Sequence, residues 1–341
     1  MVDDVRLSKN GAALCFACRK REAFFFRPYS GERLCRKCFA KSVEVKVRAT
    51  ISKYRMLRFD DRLAVAVSGG KDSVSLLHIL AGLERKHPKS SLVAVTVDEG
   101  IRGYRDEALK IAVENCKKLN IMHHVVSFED LFGYTLDELT ASPKAKDMSR
   151  FSSCAYCGVL RRKALNLAAR QVDASRIATA HTLDDEVQTI LLNIFHGDVL
   201  RIAREKPVTD GVHRKLVRRI KPFCEIPERE TSLYAYVKRV GFQSTPCPYA
   251  SEALRNDVRH MVNRLEEKHA GMKFAIFNSI ERIRPALQQM DMKQGFGECA
   301  ECGEPTSDKV CKTCQILKET LQHNRHSNKR DALNKSRSWS S

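Results

Sequence analysis

Six residues, Ser68-Gly69-Gly70-Lys71-Asp72-Ser73, constrain this chain more than any others. They join a β-branched apolar run, Leu63 to Val67, to Val74, Leu77, His78 and Leu80 at helical spacing. Two glycines in a strand-to-helix turn let the backbone bend tightly and aim bare N–H groups at an anion. Ser68 and Ser73 add hydroxyl donors, Lys71 adds a charge, and the helix N-terminus adds its dipole. This is not a Walker A loop. Val65 stands where the first glycine belongs, and Asp72 follows the lysine in place of Ser or Thr. An aspartate beside a phosphate calls for a cation between them, so Mg²⁺ is expected. The alternative is an ordinary Gly- and Ser-rich turn, which six matching residues in this context disfavour.

The loop opens an alternation of short apolar runs and amphipathic stretches, the pattern of a parallel sheet with helices on both faces. Strands are expected at Leu63–Val67, Leu92–Val97, Met122–Ser127, Ile177–Ala180 and near Leu216–Ile220. Helices are expected at Arg105–Leu119, Leu183–Phe195 and near Glu228–Val240, which completes the pattern. The division expected is a cysteine module at 1–45, an α/β catalytic domain at 46–292, a second cysteine module at 293–318 and a disordered basic tail at 319–341.

Charge points to the partner. Lys and Arg number 60 against 41 acidic residues, a net +19, which favours a polyanion and nucleic acid first. Arg201–Lys206 and Arg214–Lys221 are the candidate phosphate-contacting stretches. The first ten residues lack the apolar core of a secretory signal, and apolar runs are of strand length, so a cytoplasmic protein with no membrane association is expected.

In a reducing compartment, 13 cysteines read as metal ligands before disulfides. Five Cys-x-x-Cys pairs account for ten of them. Cys15/Cys18 with Cys35/Cys38, and Cys299/Cys302 with Cys311/Cys314, each have the spacing of a closed tetrahedral zinc site. Phe24, Phe25, Phe26 and Arg27, with Arg33, Arg36 and Lys37, give the first set either an RNA surface or a purely structural role. Cys154/Cys157 heads a basic helical stretch and lacks two ligands; Cys247, between prolines, is the obvious third. Spacing leaves an iron–sulfur cluster, a zinc ion and a catalytic thiol pair all open. Cys116 and Cys224 also remain as third ligands, with an inert buried thiol the default reading for Cys116 and the alternative for Cys224.

His181-Thr182-Leu183-Asp184-Asp185-Glu186 follows the fourth strand. Thr182 and Asp185 fit a helix cap, with Val187, Ile190, Leu191 and Ile194 as the buried stripe. The functional reading puts Asp184 at the carboxyl end of a parallel strand, as proton acceptor or magnesium ligand.

Taken together and in order, SGGKDS, CAYCGVLRR, HTLDDE and CPY between two four-cysteine modules resemble the TtuA/NcsA family of tRNA 2-thiolation enzymes, from about Cys15 to Cys314. The resemblance implies a pyrophosphatase-loop fold that cleaves ATP between its α and β phosphates. It implies a 4Fe–4S cluster on Cys154, Cys157 and Cys247 whose free iron binds incoming sulfur. ATP contacts are implied at Ala66, Ser68, Gly69, Gly70, Lys71, Asp72, Ser73, Val97, Arg161 and Thr179. Asp184, Arg161, Lys71 and the three cysteines are implied as catalytic; Arg161, always charged, suits a clamp and not a proton donor. Further expectations are tRNA as substrate, a ubiquitin-like sulfur carrier or sulfide as donor, and a homodimer or a paralogous partner subunit. DEGIRGYRDE and CGVLRR look more like the branch acting on the wobble uridine. The alternatives are the T-loop uridine and a non-catalytic tRNA-binding partner subunit.

Overall fold

The computed structural model describes residues 13–87, 89–141, 153–209, 211, 213–249, 254–290 and 295–319. The expected tail lies outside them from residue 320 on. In chain order, β1 (Phe25–Phe26) and β2 (Arg33–Leu34) form an antiparallel hairpin between the two pairs of the first cysteine set. Helix α1 (Arg36–Lys53) then runs straight through the expected boundary at residue 45, because Phe39, Val43 and Val47 continue one apolar stripe into the main core. The first module is thus continuous with the catalytic domain.

The main sheet uses β3 (Arg62–Ala66), β4 (Ser91–Asp98), β5 (Met122–Ser127), β6 (Arg176–Ala178) and β7 (Arg218–Ile220), all parallel, in the order β5-β4-β3-β6-β7. Side chains alternate across it. Leu63, Val65 and Ala94 pack into one core, Ala64, Val93 and Val95 into the other. Between strands lie α2 (Lys71–Glu84), α3 (Arg105–Leu119), α4 (Phe128–Phe132), α5 (Leu136–Ala141), α6 (Ser153–Gln171), α7 (Leu183–Phe195) and α8 (Val199–Arg204). Val74 and Leu77 of α2 cover the first face, while Leu160, Ala164 and Ala168 of α6 cover the second. The chain order reverses between β3 and β6. That switch point opens a crevice at the carboxyl ends of the strands, where open α/β sheets bind ligands.

After β7 comes α9 (Glu228–Lys238), which packs on α1 and α2. Two long helices follow that the pattern did not announce, α10 (Leu254–Lys268) and α11 (Met272–Met290); both lean on α7. The chain closes with the hairpin β8 (Gly297–Glu298) and β9 (Pro305–Thr306) inside the second cysteine set. Among the described residues, no helix is long and apolar enough to cross a membrane.

Candidate active site

The loop follows β3 and feeds α2. Gly69 has φ +87°, and a Cβ there would stand 2.5 Å from the Ala108 carbonyl oxygen, so the position demands glycine twice over. The Ser73 hydroxyl accepts from the Ser68 N–H at 3.1 Å and donates to the Gly70 carbonyl at 2.9 Å. The turn is therefore braced internally. From outside, Gln243 N–H donates to the Gly69 carbonyl at 2.9 Å. Ala66 ends β3, Val97 stands one residue from the end of β4, and Thr179 follows β6. All three stand at the same carboxyl edge of the sheet.

Lys71 Nζ donates at 2.7 Å to both Asp72 and Glu228, the first residue of α9. Asp72 also accepts from Thr231 of α9. Burial holds the Asp72 carboxyl above its usual range against the pull of Lys71. Two carboxylates flanking the loop lysine are a donor set that fits the Mg²⁺ of a nucleotide once the lysine turns to phosphate. Glu228 and Thr231 carry no local signal in the sequence, since only tertiary packing brings α9 to the loop.

Asp184 is 4% exposed and fully engaged. It accepts from the Glu228 N–H at 2.7 Å, capping α9, and from the buried ammonium of Lys273 on α11. Lys273 donates in turn to Asn263 at 2.7 Å. The anticipated cap of α7 is also present: Thr182 N–H donates to Asp185 at 2.9 Å, with the reciprocal bond completing a capping box. Asp184 thus ties together the starts of α7, α9 and α11, next to the loop.

Glu99 joins the two halves of the site. It is 2% exposed, in the turn after β4, between Arg105 at 2.8 Å and Arg161 at 2.6 Å. Arg105 donates to the carbonyls of Ser68 at 3.0 Å and Val97 at 2.6 Å, which fixes the mouth of the crevice. Arg161 donates to Cys157 Sγ at 3.1 Å and keeps nearly half of its side chain in solvent. An acidic residue at the carboxyl end of a parallel strand was the only sequence hint to Glu99.

Cys154 and Cys157 open α6, and Cys247 arrives on the segment after α9. Cys154 Sγ donates to the Tyr249 carbonyl at 3.0 Å, while Tyr249 donates to Asp137 of α5 at 2.8 Å; these bonds pin the Cys247 segment beside α6. Burial pushes the Cys157 thiol up to about 11, with Arg161 pulling the other way. Among the described residues, only the two terminal quartets bring their sulfurs within 4.8 Å of one another; this trio does not. A single tetrahedral ion with metal–sulfur bonds of about 2.3 Å needs sulfurs about 3.8 Å apart. A cubane cluster spaces them more widely, because each thiolate binds its own iron. The trio fits a cluster better than a lone ion.

The quartets fit the tetrahedral ion. Cys18 and Cys35 sulfurs lie 4.0 Å apart, Cys302 and Cys311 3.7 Å. Cys15 with Cys38, and Cys299 with Cys314, complete the sets. Backbone N–H groups of Lys20 and Arg21 pull the Cys18 thiol down to about 6, toward the thiolate a metal needs. Lys163 on α6 donates to Cys302 at 3.1 Å, so the second quartet is docked on the helix that carries Cys154 and Cys157. Cys116 and Cys224 are buried, and burial raises both thiols, to about 11 for Cys116.

One expected phosphate contact is excluded. Lys221 is 5% exposed and held at 2.9 Å by both Glu186 and Glu205, because burying its charge requires those partners. Arg214 and Arg201 in the same basic stretches remain exposed.

A family model described as a PP-loop domain matches residues 40–266. The tRNA 2-thiolation protein NcsA of Haloferax volcanii is 36% identical over 312 residues, spanning 87% of this chain and 96% of its own. The cytoplasmic tRNA 2-thiolation protein 1 of Candida glabrata is 35% identical over 321 residues, covering 92% and 88%. A solved structure, the U34-tRNA thiolase NcsA from Methanococcus maripaludis with its 4Fe–4S cluster, superposes with a TM-score of 0.75 at 32% identity, over 90% of this chain and 96% of that one. With the loop, the cysteine trio and both quartets in place, the chain belongs to the TtuA/NcsA family of tRNA 2-thiolation proteins, sulfurtransferases built on a PP-loop domain.

Proposed function

We propose that this protein replaces the oxygen at ring position 2 of the tRNA wobble uridine with sulfur, at the cost of one ATP. The observation that carries the reading is the Ser68–Arg105–Glu99–Arg161–Cys157 chain of contacts, which couples the phosphate loop to the thiol trio. A nucleotide site and a sulfur site joined through buried charge suit a reaction that activates an atom in one and replaces it from the other.

In the first step the uracil carbonyl oxygen attacks the α-phosphorus of Mg²⁺–ATP, and pyrophosphate leaves into the Ser68–Ser73 cradle. Lys71 then exchanges its carboxylate partners for the departing phosphates, while Asp72 and Glu228 are the groups to hold the magnesium. Activation is needed because an amide-like oxygen is a poor leaving group until it carries AMP. In the second step sulfur adds at the same carbon and AMP departs with the original oxygen. Arg161 stays charged throughout and holds negative charge near Cys157. Cys154, Cys157 and Cys247 would hold a 4Fe–4S cluster, which supplies an open iron to carry sulfur when bound. Asp184 acts through position, holding the first turn of α9 so that Glu228 meets Lys71. The two quartets are assigned to zinc. The base must leave its stack to enter the crevice, which is easiest in an anticodon loop.

The choice of the wobble position draws on the relative named as a U34-tRNA thiolase. A direct test is AMP and pyrophosphate release from Mg²⁺–ATP with a sulfur source present, with and without tRNA. Release should require tRNA carrying an unmodified wobble uridine. Equal release with a tRNA lacking that uridine would refute the assignment.

A further inference from the structure

Where the first cysteine module meets α9, a cleft of about 410 Å³ is lined by Phe24, Phe25, Arg229, Ser232, Leu233 and Tyr236. Its rings are exposed beyond what packing requires. Phe25 stacks edge-on against Phe39 at 4.8 Å and closes the module, yet Phe24 is 39% and Tyr236 62% exposed. Cations accompany each ring. Arg36 stands over Phe24 at 4.6 Å and reaches Tyr236 at 6.0 Å, Arg229 stands over Phe25 at 5.5 Å, and Arg33 over the adjacent Phe26 at 4.7 Å. No carboxylate lines the cleft, and among the described residues none of these three arginines forms an ion pair.

Exposed rings flanked by guanidinium groups that lack a carboxylate partner match a base with its phosphate: the π-face stacks on the ring or the guanidinium plane and the backbone charge meets arginine. We propose that this cleft is a stacking site for an unpaired nucleotide of the RNA substrate, an inference that rests on tRNA being that substrate. Its place fits. Glu228 and Thr231, at the start of α9, contact Lys71 and Asp72, and Tyr236 lies about 12 Å farther along the same helix. A nucleotide held there is a neighbour, within the same loop, of the base taken into the crevice. The cleft thus reads the unpaired flank of the target and selects loops over duplex.

The test uses the full-length protein and measures tRNA affinity by direct titration at several salt concentrations. Tyr236→Ala should weaken tRNA binding about tenfold, and Tyr236→Trp should restore it, since any flat ring stacks. Arg229→Ala should flatten the salt dependence by about 0.7 to 0.9 in log–log slope, one phosphate contact. Affinity for Mg²⁺–ATP without tRNA should not change in any variant, which with unchanged metal content and melting temperature separates the cleft from the loop and from folding. Wild-type tRNA affinity in both Tyr236→Ala and Phe24→Ala would overturn the proposal. So would normal tRNA affinity with sulfur transfer lost only when a protein carrier is the donor, because the cleft would then serve a protein. Wild-type protein that binds tRNA through these residues but forms no thiouridine would contradict the reaction above and leave the cleft standing.

Discussion

Gly69 and Gly70 look alike in sequence and differ in what they permit. An alanine at Gly69 meets the Ala108 carbonyl oxygen at 2.5 Å in a left-handed conformation, whereas at Gly70 the nearest atom is the Ser68 hydroxyl at 3.6 Å and φ is −77°. Gly69→Ala should therefore cost at least about 1–3 kcal/mol and abolish nucleotide binding, while Gly70→Ala keeps the melting temperature of the wild type. Thermal unfolding with and without ATP separates the two. At Glu99, a glutamine leaves Arg105 and Arg161 facing a neutral amide in a buried site. Removing one partner of a buried ion pair costs about 3–5 kcal/mol. Unfolding by urea should show a loss of that order, with tRNA-dependent AMP formation falling further than stability alone explains. An unchanged midpoint would mean that Glu99 does not hold the two arginines.

Among elements, α9 carries the most traffic. Its Glu230 is gripped by Arg27 of the first cysteine module through bonds of 3.0 and 2.7 Å, and two residues away its Glu228 holds Lys71. Arg27 is 1% exposed and also donates to Glu32 and Ser42, so it welds the module to the helix that sets the phosphate loop. Arg27→Met should cost about 3–5 kcal/mol, and weaken ATP binding although Arg27 touches no phosphate. A double-mutant cycle with Glu230→Gln checks this: additive losses would dissolve the link.

The strands and the helices Arg105–Leu119 and Leu183–Phe195 were legible because β-branched runs and a capped apolar stripe are local signals. Helices α10 and α11 were not. Yet Leu254, Val258, Met261, Val262 and Leu265 recur at helical spacing on α10, so its stripe was a local signal that the strand–helix alternation masked, while Pro285 inside α11 breaks the pattern there. The trio came only with the family resemblance; the loop and the quartets could be read from spacing. The contacts of Glu99, Lys273 and Glu230 could not, since Arg27 and Glu230 stand 203 residues apart and only the finished fold pairs them.

The chain is strongly basic, with a four-cysteine set near each end of the described residues. Its +19 charge predicts that tRNA affinity falls steeply with salt, so binding measured at 50 and 200 mM salt should differ by orders of magnitude. A salt-independent affinity would remove electrostatics as the source of RNA binding. The second quartet is docked on α6 through Lys163 and through Arg170, which donates to Glu304 at 2.8 Å. Stripping its metal should therefore disturb the helix that carries Cys154 and Cys157, and expose 295–319 to protease before the sheet unfolds.

In the proposed reaction the uracil oxygen is activated as an adenylate before sulfur displaces it. The most direct measurement uses tRNA labelled with a heavy oxygen isotope at ring position 2 of the wobble uridine, incubated anaerobically with Mg²⁺–ATP and a sulfur source. Mass spectrometry should find the label in the phosphate of AMP, in step with the 2-thiouridine formed, and neither product with Cys154→Ala. Label released to water instead, with unlabelled AMP accumulating beside thiouridine, would contradict it.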